Sequence, residues 1–257
     1  MSAPIRTIIS GVSGRMGRKV LACLLADNRF KVVAGLVSAE NKLCDRPLAE
    51  LHSAAPKDSL ILADPSSLQA DIVVDFSQPA AFNSVVDFCV MSETALVSGT
   101  TGLSQAQFDR LSQAGHFVPV LWAANFSLNI QIIKNLLQIF KQINKHASYQ
   151  ITETHHQHKK DAPSGTAIAL AQSLTSSPKL KRISSKQFTL GNVRIESIRE
   201  AEVPGTHHIH CDFPHETISL THVAKDADLF VQGAVSAAYW LAQQKRGLYD
   251  LNAILLA

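Results

Sequence analysis

One segment of the chain carries most of its reactive side chains. From Glu153 to Thr166 the sequence reads Glu-Thr-His-His-Gln-His-Lys-Lys-Asp-Ala-Pro-Ser-Gly-Thr. An imidazole such as that of His155 or His156 delivers a proton near neutral pH. The ammonium group of Lys159 supplies a full positive charge within the same segment. These residue types indicate acid-assisted chemistry on an anionic substrate.

The end of this segment predicts a helix start that binds anions. Ser164 is a typical N-cap residue, so the N–H groups of Gly165 and Thr166 fall in the first turn of the following helix. Unpaired amide donors and the helix dipole favour a carboxylate at this position. We therefore expect these three residues to hold a carboxylate of the substrate beside the proton donor.

Two other interpretations of the histidines compete with this one. The patterns His155-His156-x-His158 and His207-His208-x-His210 resemble each other and suit a metal site. Metal-binding histidines usually come with carboxylate or cysteine partners at compatible spacing, and neither pattern defines such a set, so we predict no metal. A solvated polar loop is the second alternative, which the adjoining helix start disfavours.

A glycine-rich turn near the N-terminus indicates a nucleotide site. Residues Ile5–Ser10 are short, β-branched and apolar, as in a buried parallel strand. The turn Gly11-Val12-Ser13-Gly14-Arg15-Met16-Gly17 follows, and a helical pattern over Arg18–Ala26 leads to a second strand at Lys31–Val37. In such a βαβ unit, glycine lets the backbone approach a pyrophosphate at the helix start. A tight turn without a ligand is the alternative interpretation.

The end of the second predicted strand leaves the cofactor open between NADH and NADPH. An acidic residue at this point would bind the ribose 2′-hydroxyl and favour NADH. The strand ends instead in Val37-Ser38, and the nearest acid, Glu40, comes two residues later. Arg15 and Lys42 are candidate partners for the 2′-phosphate of NADPH.

Further strands and helices alternate over the first half of the chain. This alternation predicts an α/β fold with a doubly wound, Rossmann-like parallel sheet. The additional strands are predicted at Asp71–Phe76, Thr94–Ser98 and Val118–Ala123, with a helix at Ala80–Val90.

The pattern changes after residue 127 to that of a second, α+β domain with a mainly antiparallel sheet. A long amphipathic helix, a strand and a second helix are predicted at Leu128–Ile143, Gln150–Thr154 and Ser164–Leu174. Strand-like segments follow at Phe188–Ile198, His207–Phe213 and Thr217–His222, and a helix at Ala234–Leu241 returns to the first domain. We predict a dinucleotide-binding domain of residues 1–126 with 227–257 and a substrate-binding domain of residues 127–226.

Composition narrows the class of protein. The 257 residues are 46% apolar and 18% charged, with 24 basic and 21 acidic side chains, which gives a formal net charge of +3. This mild charge predicts no nucleic-acid partner. No apolar run of about 18 residues occurs, so we expect no membrane span. The four cysteines are widely separated, without a CxxC pair, which favours reduced thiols in a cytoplasmic protein.

The chemistry-bearing segment resembles the signature of 4-hydroxy-tetrahydrodipicolinate (dihydrodipicolinate) reductases, Glu-x-His-His-x-His-Lys-x-Asp-Ala-Pro-Ser-Gly-Thr-Ala. Other segments are similar to that family in the same order along nearly the whole chain. They are Gly11–Gly17, Asp75-Phe76-Ser77-Gln78-Pro79, Gly99-Thr100-Thr101-Gly102, Ala123-Ala124-Asn125-Phe126-Ser127, Ser197-x-Arg199 with Val203–His207, and Gly233-Ala234-Val235.

The resemblance implies a concrete reaction in the diaminopimelate branch of lysine synthesis. NADPH or NADH would reduce a small dicarboxylate, 4-hydroxy-tetrahydrodipicolinate, to tetrahydrodipicolinate. His155 would be the general acid, Lys159 would bind or polarise the substrate, and His156 would bind or orient it. The family is typically a homotetramer, so the second domain is also expected to carry the subunit contacts.

The resemblance also implies a set of cofactor-binding residues. They are Gly11, Val12, Ser13, Gly14, Arg15, Met16, Gly17, Ser38, Phe76, Gly99, Thr100, Thr101, Ala123, Ala124, Asn125 and Phe126. One further departure from the family concerns the turn before the last long helix, where members often have an arginine. Here Lys225-Asp226-Ala227-Asp228 occupies that turn, which leaves its role open.

Two other functions fit part of the pattern. Another two-domain NAD(P)-dependent enzyme of amino-acid pathways, such as an aspartate dehydrogenase, shares the domain plan but is not expected to carry the His-His-x-His-Lys segment before Ser-Gly-Thr. A non-catalytic nucleotide-sensing protein could dispense with His155 and Lys159, and both are present.

Overall fold

The structure, a computed structural model, describes residues 3–143, 146–177, 179–200 and 202–256. The chain forms two compact units. Unit 1 comprises Met1–Phe126 and Phe230–Ala257, and unit 2 comprises Ser127–Leu229. The assignment of the cofactor to the first unit and the substrate to the second remains a prediction.

Unit 1 contains a seven-stranded parallel sheet. Its strands are Ile5–Ser10 (β1), Phe30–Leu36 (β2), Leu60–Leu62 (β3), Ile72–Asp75 (β4), Ala95–Ser98 (β5), Pro119–Trp122 (β6) and Gly247–Tyr249 (β13). They pair in the order β3-β2-β1-β4-β5-β6-β13, and every pairing is parallel. The order reverses direction at β1, so the carboxyl ends of β1 and β4 flank the crevice where such sheets bind ligands. The predicted doubly wound, Rossmann-like sheet is confirmed.

Helices accompany this sheet. They are Arg15–Leu25 (α1), Pro79–Met91 (α2), Gln105–Ala114 (α3), Asp228–Leu241 (α6) and Leu251–Leu255 (α7), with a short 3-10 helix at Leu48–Glu50. Every residue of β4 and β5 is buried, as expected of strands covered on both faces. The helix predicted from Arg18 begins three residues earlier, at Arg15, because the last glycine of the turn already lies within its first turn.

Unit 2 contains a six-stranded mixed sheet and two helices. The helices are Leu128–Ile143 (α4) and Gly165–Leu174 (α5), and the strands are Ser148–His155 (β7), Leu180–Arg182 (β8), Gln187–Leu190 (β9), Val193–Arg199 (β10), Thr206–Asp212 (β11) and Thr217–Val223 (β12). The order is β12-β11-β7-β10-β9-β8. Within the described residues, β7 and β10 are the one parallel pair, so the predicted mainly antiparallel sheet is confirmed.

One predicted strand was wrong in its extent. The segment Phe188–Ile198 does not form a single strand, because the chain reverses between β9 and β10. Gly191 lies at this reversal with a φ of +60°, a conformation that glycine adopts without steric cost. A two-residue hairpin loop containing glycine is a recognisable signal that the sequence interpretation did not use.

The sheet of unit 2 has one face packed against helices. Burial alternates along β7 and β11, and the buried side chains Ile151, Ile209 and Cys211 form a core with Leu170 and Leu174 of α5. Toward the carboxyl end of β7, this same face changes from apolar to polar residues. The polar cluster described below is therefore an extension of the core face.

Within the described parts of the chain, no helix combines the length and the apolar character that crossing a bilayer requires.

Candidate active site

Strand register brings four polar side chains of unit 2 into one row across the sheet. Glu153 of β7 lies opposite Ser197 of β10 on one side and opposite His207 of β11 on the other. His207 in turn lies opposite His222 of β12. The row therefore combines residues from four strands that are far apart in the sequence.

A second row lies two residues further along β7. Residues two apart on a strand share a face, so His155 lies on the same side of the sheet as Glu153. Arg199 of β10 is its partner on one side. On the other side Gly205 directly precedes β11, and a Cβ atom at this position would lie only 3.0 Å from Nε2 of His155. The imidazole thus sits between an arginine and a glycine that leaves room for the ring.

Glu153 is the centre of this cluster. Its side chain is 0% exposed, and Oε2 contacts Nδ1 of His155. Oε1 lies 3.1 Å from Nη2 of Arg199 and accepts a hydrogen bond from the backbone N–H of Ser164 at 3.2 Å. Burial alone would raise the pKa of Glu153, but hydrogen bonding to His155 and Ser197 and the charges of His155 and Arg199 outweigh it and lower the pKa to about 2. The carboxylate is therefore ionised throughout the physiological range.

His207 differs from His155 in its environment. It is only 4% exposed, and burial, reinforced by repulsion from His155, lowers its pKa to about 4. Its Nε2 atom lies 3.5 Å from the hydroxyl oxygen of Ser164, and its ring centroid lies 5.3 Å from that of His155. The cluster thus pairs its carboxylate with His155 and keeps His207 as a neutral imidazole.

The metal interpretation changes in one respect. Glu153, His155 and His207 present ligand atoms within 4.8 Å of one another, so a carboxylate does join histidines from both patterns. The sequence did not show this, because it places Glu153 and His207 on separate strands. Both carboxylate oxygens are already engaged by Arg199, the Ser164 N–H and His155, and the adjacent guanidinium disfavours a further cation. We assign no metal to this cluster.

Arg199 also holds the loop that carries Lys159. Its guanidinium donates hydrogen bonds to the backbone carbonyls of Lys159 and Asp161. The ammonium group of Lys159 lies 2.8 Å from the carboxylate of Asp161, whose side chain is 57% exposed. The cation predicted for substrate binding is therefore paired with an acid at the surface, and an anionic ligand would compete with that acid.

The predicted helix start is present, with unequal roles for its residues. Ser164 is the N-cap of α5, and its hydroxyl accepts a hydrogen bond from the N–H of Ala167 at 3.1 Å. Because its own N–H binds Glu153, the polar groups of Ser164 serve the protein itself. Gly165 is exposed, and a Cβ atom added there would have no neighbour within 4 Å. Gly165 is therefore the part of the helix start beside which a ligand has room.

The remaining predicted substrate residues lie at the margin of the cluster. Thr166 is half-buried in the first turn of α5. His156 follows the end of β7, and its ring centroid lies 6.2 Å from that of His158. The structure thus brings His155 and Ser164 together around Glu153, whereas His156 is half-buried and lies beside the exposed His158.

The glycine turn of unit 1 fits an anionic group. Gly11 has a φ of +75°, and a Cβ atom there would lie 2.5 Å from the carbonyl oxygen of Phe76. A Cβ atom on Gly17 would overlap the carbonyl oxygen of Gly11. Gly14 is the N-cap of α1, and neither a capping side chain nor an acidic residue occupies this first turn. The close backbone and the uncapped amides suit the pyrophosphate of a dinucleotide.

A buried aspartate, which the sequence interpretation left without a role, organises the neighbouring loops. Asp75 ends β4 and is 0% exposed. Its carboxylate accepts hydrogen bonds from the hydroxyls of Ser98 and Thr100, at 2.8 and 2.7 Å, and from the N–H of Ser77 at 3.1 Å. Thr100, one of the predicted cofactor residues, thus has its side chain turned into the protein. An acid ending a buried strand, with hydroxyl residues ending the next strand, was the available signal.

The other predicted cofactor residues line the same carboxyl edge of the sheet. The rings of Phe76 and Phe126 lie 5.6 Å apart, and a Cβ atom on Gly99 would overlap the ring of Phe76. Thr101 and Ala124 are exposed, Asn125 is half-buried and Ala123 is buried.

The loop after β2 lies at the surface. Ser38 is exposed, as are both candidate partners of a 2′-phosphate, Arg15 and Lys42. The amide of Asn41 donates a hydrogen bond to the hydroxyl of Ser13 at 3.2 Å, so this loop is tied to the glycine turn. The structure thus places two cations and no buried acid among the described residues at this end of the turn.

Comparison with known proteins covers both halves of the chain. The family described as "Dihydrodipicolinate reductase, N-terminus" matches residues 5–126, and "Dihydrodipicolinate reductase, C-terminus" matches residues 127–255. A 4-hydroxy-tetrahydrodipicolinate reductase of Rickettsia bellii is 34% identical over 95% of this chain and 91% of that protein. One of Pseudoalteromonas atlantica is 32% identical over 96% and 97%. In fold, the chain matches dipicolinate-bound dihydrodipicolinate reductase from Paenisporosarcina sp. TG-14, with a TM-score of 0.79, 20% identity and coverage of 96% and 97%.

Proposed function

The chain belongs to the dihydrodipicolinate reductase family, and on this premise we propose that it reduces 4-hydroxy-tetrahydrodipicolinate to tetrahydrodipicolinate with NADPH or NADH. The observation that carries the proposal is the buried His155–Glu153 pair, which lies beside the N-cap of a helix whose next residue, Gly165, faces open space. A proton donor and a carboxylate-binding helix start are thus parts of one unit.

The reduction consumes one hydride and one proton and releases water. Reduced nicotinamide supplies the hydride when it is bound. His155 supplies the proton from its imidazole, a contribution typically worth about 10²–10⁴-fold in rate. Glu153 stabilises the protonated form of that ring, since its carboxylate contacts Nδ1.

A dicarboxylate substrate matches the charges of unit 2. The N–H groups at Gly165 and Thr166 start helix α5 and favour one carboxylate. Lys159 leaves its surface partner Asp161 and binds a substrate carboxylate in its place. His156 orients the ligand at the edge of the loop. In this proposal Ser164 acts mainly by capping the helix and by fixing Glu153.

Unit 1 is proposed to hold the cofactor. The turn Gly11–Gly17 would receive the pyrophosphate, and the edge formed by Phe76, Gly99 and Phe126 would receive the nicotinamide. Ser38 would lie toward the ribose, where Arg15 and Lys42 are available to a 2′-phosphate. The absence of a buried acid from the described residues at this point supports acceptance of NADPH.

The location and assembly of the protein are further parts of the proposal. Among the described residues, none of the four cysteines forms a disulfide, which supports a cytoplasmic enzyme. A homotetramer is supported by a stripe of exposed apolar residues on α4, which offers surface for subunit contacts. The stripe consists of Ile132, Leu136, Ile139 and Ile143.

A coupled assay tests the activity. Aspartate semialdehyde, pyruvate and the preceding synthase generate the substrate, and the oxidation of NADPH and of NADH is followed in separate reactions. We expect oxidation that depends on the synthase. Oxidation without the synthase, or NAD-dependent turnover of aspartate in its place, would contradict the proposal and favour a different dehydrogenase.

A further inference from the structure

We infer that Glu153 is the positioning residue for the proton donor: it fixes the orientation and tautomer of His155 and stabilises its protonated ring. The inference rests on the proposed function, in which His155 delivers the proton. Glu153 itself is buried and acts through His155.

The geometry defines which atom of the ring faces Glu153. Nδ1 of His155 contacts Oε2 of Glu153. On the other side of the ring, Nε2 faces the small residue Gly205. When one ring nitrogen is held by a carboxylate, the proton of the neutral ring resides there, and the other nitrogen is left for chemistry. The structure therefore assigns Nδ1 to Glu153 and Nε2 to the substrate.

The surroundings keep Glu153 in the form that this role requires. An ionised carboxylate accepts the Nδ1–H and favours the imidazolium, whereas a protonated one does neither. Arg199 and the N–H of Ser164 both bind Oε1, which leaves Oε2 directed at His155. One oxygen thus anchors the carboxylate to the fold, and the other acts on the proton donor.

Arg199 binds both Glu153 and the loop that carries Lys159. Through Glu153 it fixes His155, and through the carbonyls of Lys159 and Asp161 it fixes the loop that carries the cation. The proposed acid, His155, and the proposed cation, Lys159, are therefore both held in place by Arg199. A merely structural role of the Glu153–Arg199 pair, joining β7 to β10, is the alternative that the experiment must separate.

The test replaces Glu153 by Gln, which keeps the size of the side chain and removes its charge. We expect kcat to fall roughly 10- to 100-fold, as for other residues that orient a functional histidine. The affinity for pyridine-2,6-dicarboxylate and for cofactor should change little. The alkaline limb of the pH profile of kcat/KM should move to lower pH, because the imidazolium loses its stabilising charge. The matched control is Glu196→Gln, on β10 and opposite Thr152 on the other face of the sheet, which should leave kcat and the profile unchanged.

A second variant separates catalysis from folding. Glu153→Gln leaves the charge of Arg199 uncompensated, whereas Glu153→Gln with Arg199→Gln removes both charges of the pair. If the double variant unfolds like the wild type and still shows the moved alkaline limb, the positioning role stands. The alkaline limb decides, because the loss of Arg199 also releases the loop that carries Lys159 and by itself lowers kcat. Recovery of wild-type kcat and pH profile in the double variant, or their retention in Glu153→Gln, would overturn it.

A spectroscopic measurement makes the inference independent of turnover. In ¹⁵N-histidine NMR spectra, assigned by comparison with His155→Gln, the neutral ring of His155 should carry its proton on Nδ1. A proton on Nε2 would overturn the inference. If the Nδ1–H tautomer is found but the wild type does not oxidise NADPH or NADH in the coupled assay, the proposed function fails while the positioning by Glu153 stands.

Discussion

Gly205 leaves just enough room for the imidazole of His155. A Cβ atom at position 205 would lie 3.0 Å from Nε2 and 3.2 Å from Cδ2 of that ring. Since Glu153 contacts the ring at Nδ1, His155 is held between a carboxylate and a residue that has no side chain. The position of the His155 imidazole is therefore determined from both sides.

Gly205→Ala should displace the ring of His155. The added methyl group forces a shift of a few tenths of an ångström, and small misplacements of a reacting group are costly, about 10²-fold for 1 Å. We expect kcat to fall by roughly 10-fold, with an unchanged dissociation constant for NADPH. Steady-state kinetics and fluorescence titration measure the two quantities. Wild-type kcat in a variant that contains the alanine would show that the ring tolerates the contact.

Gly165→Ala should weaken substrate binding and leave the packing of the protein unchanged. No atom lies within 4 Å of the added Cβ, so the free energy of unfolding should stay within about 1 kcal/mol of the wild type, as expected from the helix propensities of the two residues. The same methyl group occupies the space assigned to the substrate, so pyridine-2,6-dicarboxylate should bind more weakly. Calorimetric titration checks this. Undiminished binding would remove Gly165 from the substrate site.

His155→Gln and Lys159→Ala should separate the proposed acid from the proposed cation. The first should lower kcat by roughly 10²-fold or more, the usual contribution of a general acid, and leave cofactor affinity unchanged. The second should raise KM for the substrate as well as lower kcat, because Lys159 is the residue proposed to bind the anionic substrate. Both parameters come from the coupled assay. If either variant is as active as the wild type, the replaced residue does not have the proposed role.

Gly17→Ala should weaken cofactor binding. A Cβ atom there overlaps the carbonyl oxygen of Gly11, so the turn must open and its amides move away from the pyrophosphate. We expect the dissociation constants of NADPH and NADH to rise together, by roughly 10-fold or more, which corresponds to about 1.4 kcal/mol. Fluorescence titration with each cofactor provides the measurement. A rise for only one cofactor would place Gly17 at the ribose and not at the pyrophosphate.

His207 should make unit 2 less stable in mild acid. Its pKa is about 4 in the folded state and about 6.5 when unfolded, because burial, together with the charge of His155, disfavours its protonated form. The unfolded chain therefore binds the additional proton between these values, and the free energy of unfolding should fall by up to about 3 kcal/mol as the pH drops from 6.5 to 4.

Hydrogen exchange of the amide of Ile209, a core residue of the same strand, follows this change. In His207→Gln the slope between pH 6.5 and 4 should shrink. Part of it should persist, because burial also lowers the pKa of His222. Glu153, whose pKa falls from 4.5 to about 2 on folding, adds a separate loss that begins at about pH 5, where the carboxyl of the unfolded chain starts to bind a proton, and grows toward pH 2. An unchanged slope in His207→Gln would show that the ring is not neutral in the folded protein.

Local signals in the sequence predicted most of the fold. Hydrophobic runs and glycine turns located the long strands of unit 1, since each buried parallel strand is a short apolar segment. The three-residue strands β3 and β13 were missed, because so few residues show no period. Helix α3 was missed as well, although Ser104 and Gln107 form a capping box at its start.

The sequence predicted the part of the candidate site that lies in one continuous segment. His155, Lys159, Ser164 and Gly165 lie in one segment, so their chemistry is visible without a structure. Glu153, the partner of His155, lies in the same segment, but its own neighbours Ser197 and His207 belong to other strands, and the sequence does not show which strands pair.

The sequence by itself determined the local structures, the reactive segment and the family, because spacing along the chain decides which groups share a turn or a strand. Only the tertiary structure decided that Arg199 and His207 flank Glu153, since these contacts depend on the order β12-β11-β7-β10 and not on distance along the chain. Non-local strand pairing sets the electrostatic environment of the buried carboxylate of Glu153, which contacts His155, and of the neighbouring His207, whose imidazole stays neutral.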